Sequence, residues 1–198
     1  AVGEAPVYSH LNHGVEFYTF PLVVRRLSGA EDQVNVVAPL ELLECCGPLE
    51  RESELTVLGE VRTFNNRTGV GSRLVISAFA RELRQEPGED ENRLELSGTL
   101  CKTPSLRATP LGRTICDMIL AVNRRYGRAD YLPCIAWGSL AHRCGGMEVG
   151  DQLRLTGRLQ SRTYTKVSGD RSEERVAFEV SIMSLAAEVP TEKEEHTG

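Results

Sequence analysis

Apolar residues recur at every second position through several short stretches of this chain. One set comprises Leu94, Leu96, Gly98 and Leu100; a second comprises Leu153, Leu155, Gly157 and Leu159; a third comprises Val176, Phe178, Val180 and Ile182. A period of two is typical of β-strands that bury one face and expose the other. Each stretch is therefore predicted to be a strand.

Two denser apolar segments lie between these strands. Their composition is apolar enough for central strands: they read MILAVN (118–123) and LPCIAW (132–137). After the second of them, a short helix is predicted in GSLAHRCGGME (138–148) and in no other segment of this copy. Five strands with one helix between the third and the fourth is the order of the OB-fold, a small Greek-key barrel. The pattern therefore predicts an all-β fold.

The pattern occurs twice, at an offset of 98 residues. Matching pairs include Pro6 and Pro104, Gly14 and Gly112, Arg26 and Arg124, Asp32 and Asp130, Ala38 and Ala136, and Gly59 and Gly157. We predict two tandem OB-folds, each a five-stranded Greek-key barrel with at most one short helix. The counterpart of NRLELSG (92–98) is missing from the first copy, so its first strand is expected to be short or frayed.

The repeat sets the expected domain boundaries. Residues 1–84 form a degenerate OB-fold, and the acidic stretch QEPGEDEN (85–92) is a linker because it is polar and contains Pro and Gly. Residues 93–187 form the second OB-fold. Residues 188–198 are predicted to be a disordered acidic tail.

Charge separates the two copies. The chain of 198 residues has a formal net charge of −5, but residues 1–91 carry −7, residues 92–187 carry +5 and the tail carries −3. An acidic total therefore does not exclude a polyanionic partner for the second copy, because the partner feels the local field.

Alternation along DYLPCIAWG (130–138) divides its side chains between two faces. Leu132, Cys134 and Ala136 fit the core, which leaves Tyr131 and Trp137 on the outside with Pro133 and Ile135. Other candidate residues for an outer binding surface are Tyr126, Tyr164, Arg124, Arg125, Arg128, Arg154, Arg158, Arg162 and Lys166.

Exposed rings among arginines match the needs of single-stranded nucleic acid. Aromatic rings stack on unpaired bases, and basic side chains contact phosphates. Two other interpretations remain open: the aromatic face binds a protein, as in a primosome-type assembly module, or it binds RNA, since stacking does not distinguish ribose from deoxyribose.

Residues 92–187 resemble the bacterial single-stranded DNA-binding protein family. The similarity rests on NRLELSGTLCKTP, AVNRR, CIAWG and GDQLRLTGRLQSRTY, in that order and spacing. NRLELSGTLCKTP also resembles primosomal replication protein N. The family resemblance implies sequence-independent binding of single-stranded DNA in replication, recombination or repair, with stacking rings at Tyr126, Tyr131, Trp137 and Tyr164.

The same four positions in the first copy are Ser28, Gln33, Pro39 and Asn66. None of these side chains stacks as an aromatic ring does. The first copy is therefore expected to serve assembly rather than binding.

The resemblance also implies an assembly of four OB-folds. Two per chain predict a homodimer. Family members tend to end in an acidic tail with an apolar tip that recruits replication or repair proteins, whereas this chain ends AAEVPTEKEEHTG without such a tip. Replication or repair proteins are therefore candidate partners, although the apolar tip that recruits them in the family is not seen here.

Little in the sequence points to catalysis. His10 and His13 lack further metal ligands, and His142 with Cys144 lacks an orienting third group. We predict no enzyme activity, no catalytic or metal-binding residues and no cofactor.

The six cysteines are expected to be buried thiols. Because the sequence shows no secretory or membrane segment, a cytoplasmic, nucleoid-associated location is expected.

Overall fold

The computed structural model describes residues 1–65, 74–168 and 171–186. These residues form two β-sheets in which most strand pairs are antiparallel. The predicted tail 188–198 and Asn66 lie outside the described residues. The strands are β1 (Val7–Asn12), β2 (Val15–Arg25), β3 (Glu31–Pro39), β4 (Thr56–Asn65), β5 (Leu74–Arg84), β6 (Leu94–Leu100), β7 (Ser105–Ala108), β8 (Thr114–Asn123), β9 (Ala129–Trp137), β10 (Gln152–Ser168) and β11 (Arg171–Leu185). The helices are α1 (Leu40–Cys46) and α2 (Gly138–Gly145), and a 3₁₀ turn covers Arg125–Gly127.

The two sheets confirm the prediction of two OB-type barrels. The first barrel, β1 to β5 with α1, has the strand order β1-β2-β3-β5-β4. The second barrel, β6 to β11 with α2, has the order β6-β10-β11-β9-β8-β7, and an additional β6–β8 pairing closes it. The second sheet has one strand more than predicted, because Ser105–Ala108 pairs with the edge of β8.

In the first barrel, an isolated bridge stands at the position of β6 of the second barrel. Val2 makes an isolated bridge to Leu22, and these residues are the repeat counterparts of Leu100 and Leu120, which pair within the second barrel. A single bridge thus replaces the pairing of a full strand. Residues 85–93, between β5 and β6, form neither helix nor strand.

The alternation of apolar residues explains the core of the second barrel. Leu100, Leu132, Leu155 and Val180 are each at most 1% exposed. Gly157 sits at a β-bulge in β10, where a Cβ atom would lie 2.5 Å from the carbonyl oxygen of Ser181. This close backbone approach explains why the repeat keeps glycine here and at Gly59, the equivalent bulge of β4.

The two barrels meet through a pair of reciprocal contacts, which we call the junction. Asp130 of the second barrel accepts hydrogen bonds from the backbone N–H of Thr63 at 2.5 Å and from its Oγ1 at 3.0 Å. Asp32 of the first barrel accepts one from the N–H of Ser161 at 3.3 Å. Thr63 and Ser161 are 98 residues apart, as are Asp32 and Asp130, so the junction has an approximate two-fold relation.

An arginine holds each junction carboxylate. Arg124 binds Asp130 through two guanidinium nitrogens, and Arg26 binds Asp32 in the same way. Asp32 is 0% and Asp130 1% exposed. Because a buried carboxylate needs both a counter-charge and hydrogen-bond donors, the repeated arginine and aspartate are explained by the junction.

Candidate nucleic-acid interface

Strand β9 presents two aromatic rings on one side. Tyr131 is 54% and Trp137 40% exposed, whereas Leu132, Cys134 and Ala136 are buried in the core. The expected division of side chains between the two faces of β9 is therefore confirmed. We call the side that carries Tyr131 and Trp137 the outer face of the second barrel.

Two apolar residues of β9 lie between the two rings on the outer face. Ile135 occupies the outer face but is only 5% exposed, and Pro133 is half-buried. Ile135 pairs with Asp117 of β8 and Ser181 of β11, so it lies in the middle of the sheet. Tyr131 and Trp137, six residues apart, stand about 20 Å from each other at the usual rise of a strand.

Arginines of β10 border this surface. Arg154 is exposed and lies 4.0 Å from Glu95. Arg158 is half-buried, and within the described part of the chain its Nε is buried without a hydrogen-bond partner. Arg162 is exposed and lies 3.7 Å from Glu179. These side chains alternate with the inward-facing Leu residues of the strand.

The turn between β8 and β9 divides the predicted arginines into two groups. Arg125 and Arg128 are exposed. The guanidinium of Arg124 instead binds Asp130 and donates to the carbonyl oxygen of Thr63 at 3.1 Å, so it is committed to the junction. These hydrogen bonds to the carboxylate raise the pKa of Arg124 above its usual value.

For three predicted residues, the structure describes the backbone but not the side chain. Tyr126 lies in the 3₁₀ turn, and Tyr164 and Lys166 lie in β10 by their backbone. The backbone fixes their positions along the turn and the strand, and their roles remain predictions.

The sequence reasoning missed a carboxylate on the outer face. Glu179 is 9% exposed and accepts a hydrogen bond at 2.8 Å from Gln160, in addition to its contact with Arg162. The signal was present, because Val180 and Ile182 point into the core and Glu179 must therefore point outward. Glu179 thus competes with any anionic ligand for Arg162.

The outer face of the first barrel is filled differently. Phe17, which pairs with Pro39 across β2 and β3, is 8% exposed beneath the ring of His10, with ring centroids 5.0 Å apart and planes at 9°. Phe79 packs against it at 5.5 Å, and Arg81 lies over the Phe79 ring. These rings pack on one another, and the sequence comparison at Ser28, Gln33 and Pro39 did not reveal them.

The cysteines are only partly as predicted. Cys116, Cys134 and Cys144 are buried and Cys46 is half-buried, whereas Cys45 and Cys101 are exposed, so the prediction is wrong for Cys45 and Cys101. Burial raises the pKa of Cys134 to about 12 and that of Cys144 to about 11.

Within the described residues no group of three or more His, Cys, Asp or Glu side chains could hold a metal ion. Among the described residues, no helix combines the length and apolarity that crossing a bilayer requires.

Comparison with known proteins gives a consistent result for the second barrel. The sequence pattern of the single-strand binding protein family matches residues 91–186. A single-stranded DNA-binding protein of Clostridium tetani is 36% identical over 101 residues, which is 46% of this chain and 70% of that protein. One from Thermus aquaticus is 36% identical over 105 residues, but the match spans only 38% of its length.

A solved structure is similar to both barrels together. The wild-type single-stranded DNA-binding protein of Thermus aquaticus has a TM-score of 0.73 and covers 96% of this chain, and the chain covers 90% of it. A deletion mutant of the same protein gives a TM-score of 0.71 over 98% of this chain. At 22% identity these likenesses establish the fold of the tandem arrangement.

Proposed function

The chain belongs to the single-strand binding protein family, and we propose that it binds single-stranded DNA through the outer face of its second barrel. The observation that carries the proposal is the exposure of Tyr131 and Trp137 on one side of β9, bordered by arginines. Stacking on such rings is worth about 1–3 kcal/mol per base and is tolerant of sequence because every base has a flat face.

The basic residues have different proposed roles in binding the strand. Arg125, Arg128 and Arg154 are exposed and contact phosphates, which makes binding dependent on salt. Arg158 is half-buried on β10 between Arg154 and Arg162, and we propose it as a further phosphate contact. Arg162 contributes once it exchanges Glu179 for a phosphate, and Arg124 supports the surface from the junction.

Tyr126 and Tyr164 complete the proposed surface through their positions in the family motif, and Lys166 adds a basic side chain two residues after Tyr164. Tyr126 lies in the turn before β9, and Tyr164 lies six residues after Arg158 on β10. Together with Tyr131 and Trp137, the two tyrosines would give four rings to one barrel. The protein would thereby protect single strands during replication, recombination or repair.

The first barrel is proposed to serve assembly. It carries neither aromatic nor basic residues at Ser28, Gln33 and Pro39, and the rings on its outer face pack on one another. Two chains would place four barrels in one homodimer. Its solution mass should correspond to two chains without DNA, and to two chains plus the bound oligonucleotide with oligo-dT; a monomeric mass would contradict this part.

Trp137 provides the test of binding because it is the only tryptophan. Titration with oligo-dT should quench its fluorescence, and the affinity should fall as salt is raised. A matched titration with double-stranded DNA should quench it far less. Unchanged fluorescence together with no binding at low salt would contradict the proposed function.

A further inference from the structure

Strand β11 carries an exposed methionine close to its end. Met183 is 60% exposed, whereas the preceding residue, Ile182, is 4% exposed in the core. Where the last strands of the two copies align, the counterpart of Met183 is Arg81, which lies over the ring of Phe79 at 5.1 Å. A side chain at this position can thus lie over the outer face of its barrel. Neither the repeat nor the family motif marks Met183 as a binding residue.

Met183 lies on the same side of the sheet as Trp137. Strands β9 and β11 are parallel neighbours, and Ile135 pairs with Ser181. Trp137 and Met183 each come two residues after one of these partners. Side chains alternate along a strand, and both residues are exposed and follow a buried residue, so both project from the outer face of the second barrel.

The side chain of methionine suits contact with a base of any sequence. It is unbranched and polarizable, adapts to the shape of its partner, and makes favourable contacts between its sulfur and an aromatic ring. Every base has such a ring. Because neighbouring strands lie about 5 Å apart, a base that stacks on Trp137 is within reach of the Met183 thioether.

The charges near Met183 are compatible with a phosphate backbone. Arg158, which we propose as a phosphate contact, pairs with Ser181 two residues before Met183. The carboxylate of Asp117, which lies across β9, binds Arg107 at 2.6 Å. A nucleotide whose base lies at Met183 therefore has a basic side chain beside it, and the negative charge of Asp117 is countered.

We propose that Met183 is a further DNA-binding residue, whose thioether contacts the base that stacks on Trp137. This inference rests on the proposed function and deepens it. The base would be held by an aromatic ring from β9 and by a flexible apolar side chain from β11. Such a contact adds affinity without reading sequence, because the sulfur meets the ring that all bases share.

The first test compares the affinities of full-chain variants for labelled oligo-dT. Met183→Ala should weaken binding by about 2- to 12-fold, the loss of one contact between sulfur and a ring. Met183→Leu should lose less, because it keeps an apolar side chain of similar size. Leu58→Ala is the matched control, since Leu58 is 47% exposed but belongs to the first barrel, and binding should not change.

A double-mutant cycle with Trp137 tests whether the two side chains hold the same base. In the Trp137→Ala background, Met183→Ala should have a smaller effect than in the wild-type chain, because the base is no longer held over β9. Full additivity of the two losses would contradict a shared base.

Contact is tested directly by NMR of the full chain with isotope-labelled methionine methyl groups. The chain has three methionines, and Met118, which is 4% exposed in the core, provides an internal control. Saturating oligo-dT should shift the methyl signal of Met183, because it lies against the ring of a base, and should leave that of Met118 in place. The signal that is lost in Met183→Leu identifies Met183.

Quenching of Trp137 by oligo-dT with an unmoved Met183 signal overturns the inference and leaves the proposed function intact. Wild-type affinity of Met183→Ala, or equal losses in Met183→Ala and Leu58→Ala, also overturns it. Absence of binding by the wild-type chain refutes the proposed function itself.

Discussion

Replacement of Asp130 by alanine should destabilise the protein strongly, because this carboxylate joins the two barrels. Asp130 is 1% exposed, binds Arg124 through two nitrogens and accepts two hydrogen bonds from Thr63. Asp130→Ala leaves the guanidinium of Arg124 partly buried without its counter-charge. It also removes the acceptor from the N–H of Thr63.

The expected loss follows from the burial of this pair. Removing one partner of a buried, hydrogen-bonded ion pair costs about 3–5 kcal/mol. For a chain of this length 1 kcal/mol corresponds to about 2–4 °C, so Tm should fall by about 6–20 °C. Thermal unfolding followed by circular dichroism at neutral pH measures the shift.

A second ion pair provides the control. Asp117 binds Arg107 at 2.6 Å, but both side chains are about half exposed, so Asp117→Ala should cost no more than about 1 kcal/mol. Adding Arg124→Met to Asp130→Ala should recover part of the stability, because the unpaired charge is removed. Equal, small losses for Asp130→Ala and Asp117→Ala would refute the role assigned to the junction.

Three further predictions concern acid stability, affinity and backbone packing. Burial acts to raise the pKa of Asp130, but the hydrogen bonds from Arg124 and from the first barrel outweigh it and hold the pKa below its ordinary value. This stabilisation should therefore be complete above about pH 4 and be lost as pH falls through the folded-state pKa, and acid titration of Asp130→Asn should show a weaker dependence. Glu179→Gln removes a negative charge from the outer face, so its affinity for oligo-dT in fluorescence titrations should rise; an unchanged affinity would contradict that placement. Gly157→Ala should lower the free energy of unfolding by about 1–3 kcal/mol in urea melts, since its Cβ would lie 2.5 Å from the carbonyl oxygen of Ser181.

Local patterns in the sequence predicted the strands well, because alternation depends only on neighbouring residues. The exposure of Tyr131 and Trp137 followed from the two-residue period alone. The same reasoning could have placed Glu179 on the outer face, since its neighbours point inward.

Long-range contacts were not predictable in this way. Arg124 looked like its neighbours Arg125 and Arg128, and nothing local indicates that its guanidinium meets Thr63, 61 residues away. The repeat of arginine and aspartate was visible, but its reason is a contact between the two copies. The burial of Phe17 under His10 likewise depends on how β1 pairs with β2.

The affinity of Trp137→Ala for oligo-dT, compared with that of Pro39→Ala, tests the central claim most directly. Pro39 is the repeat counterpart of Trp137 on the first barrel. Trp137→Ala should weaken binding by about 5- to 150-fold with little change in Tm, because the ring is 40% exposed, whereas Pro39→Ala should leave binding nearly unchanged. Equal affinities of the two variants and the wild-type chain would contradict a binding surface on the outer face of the second barrel.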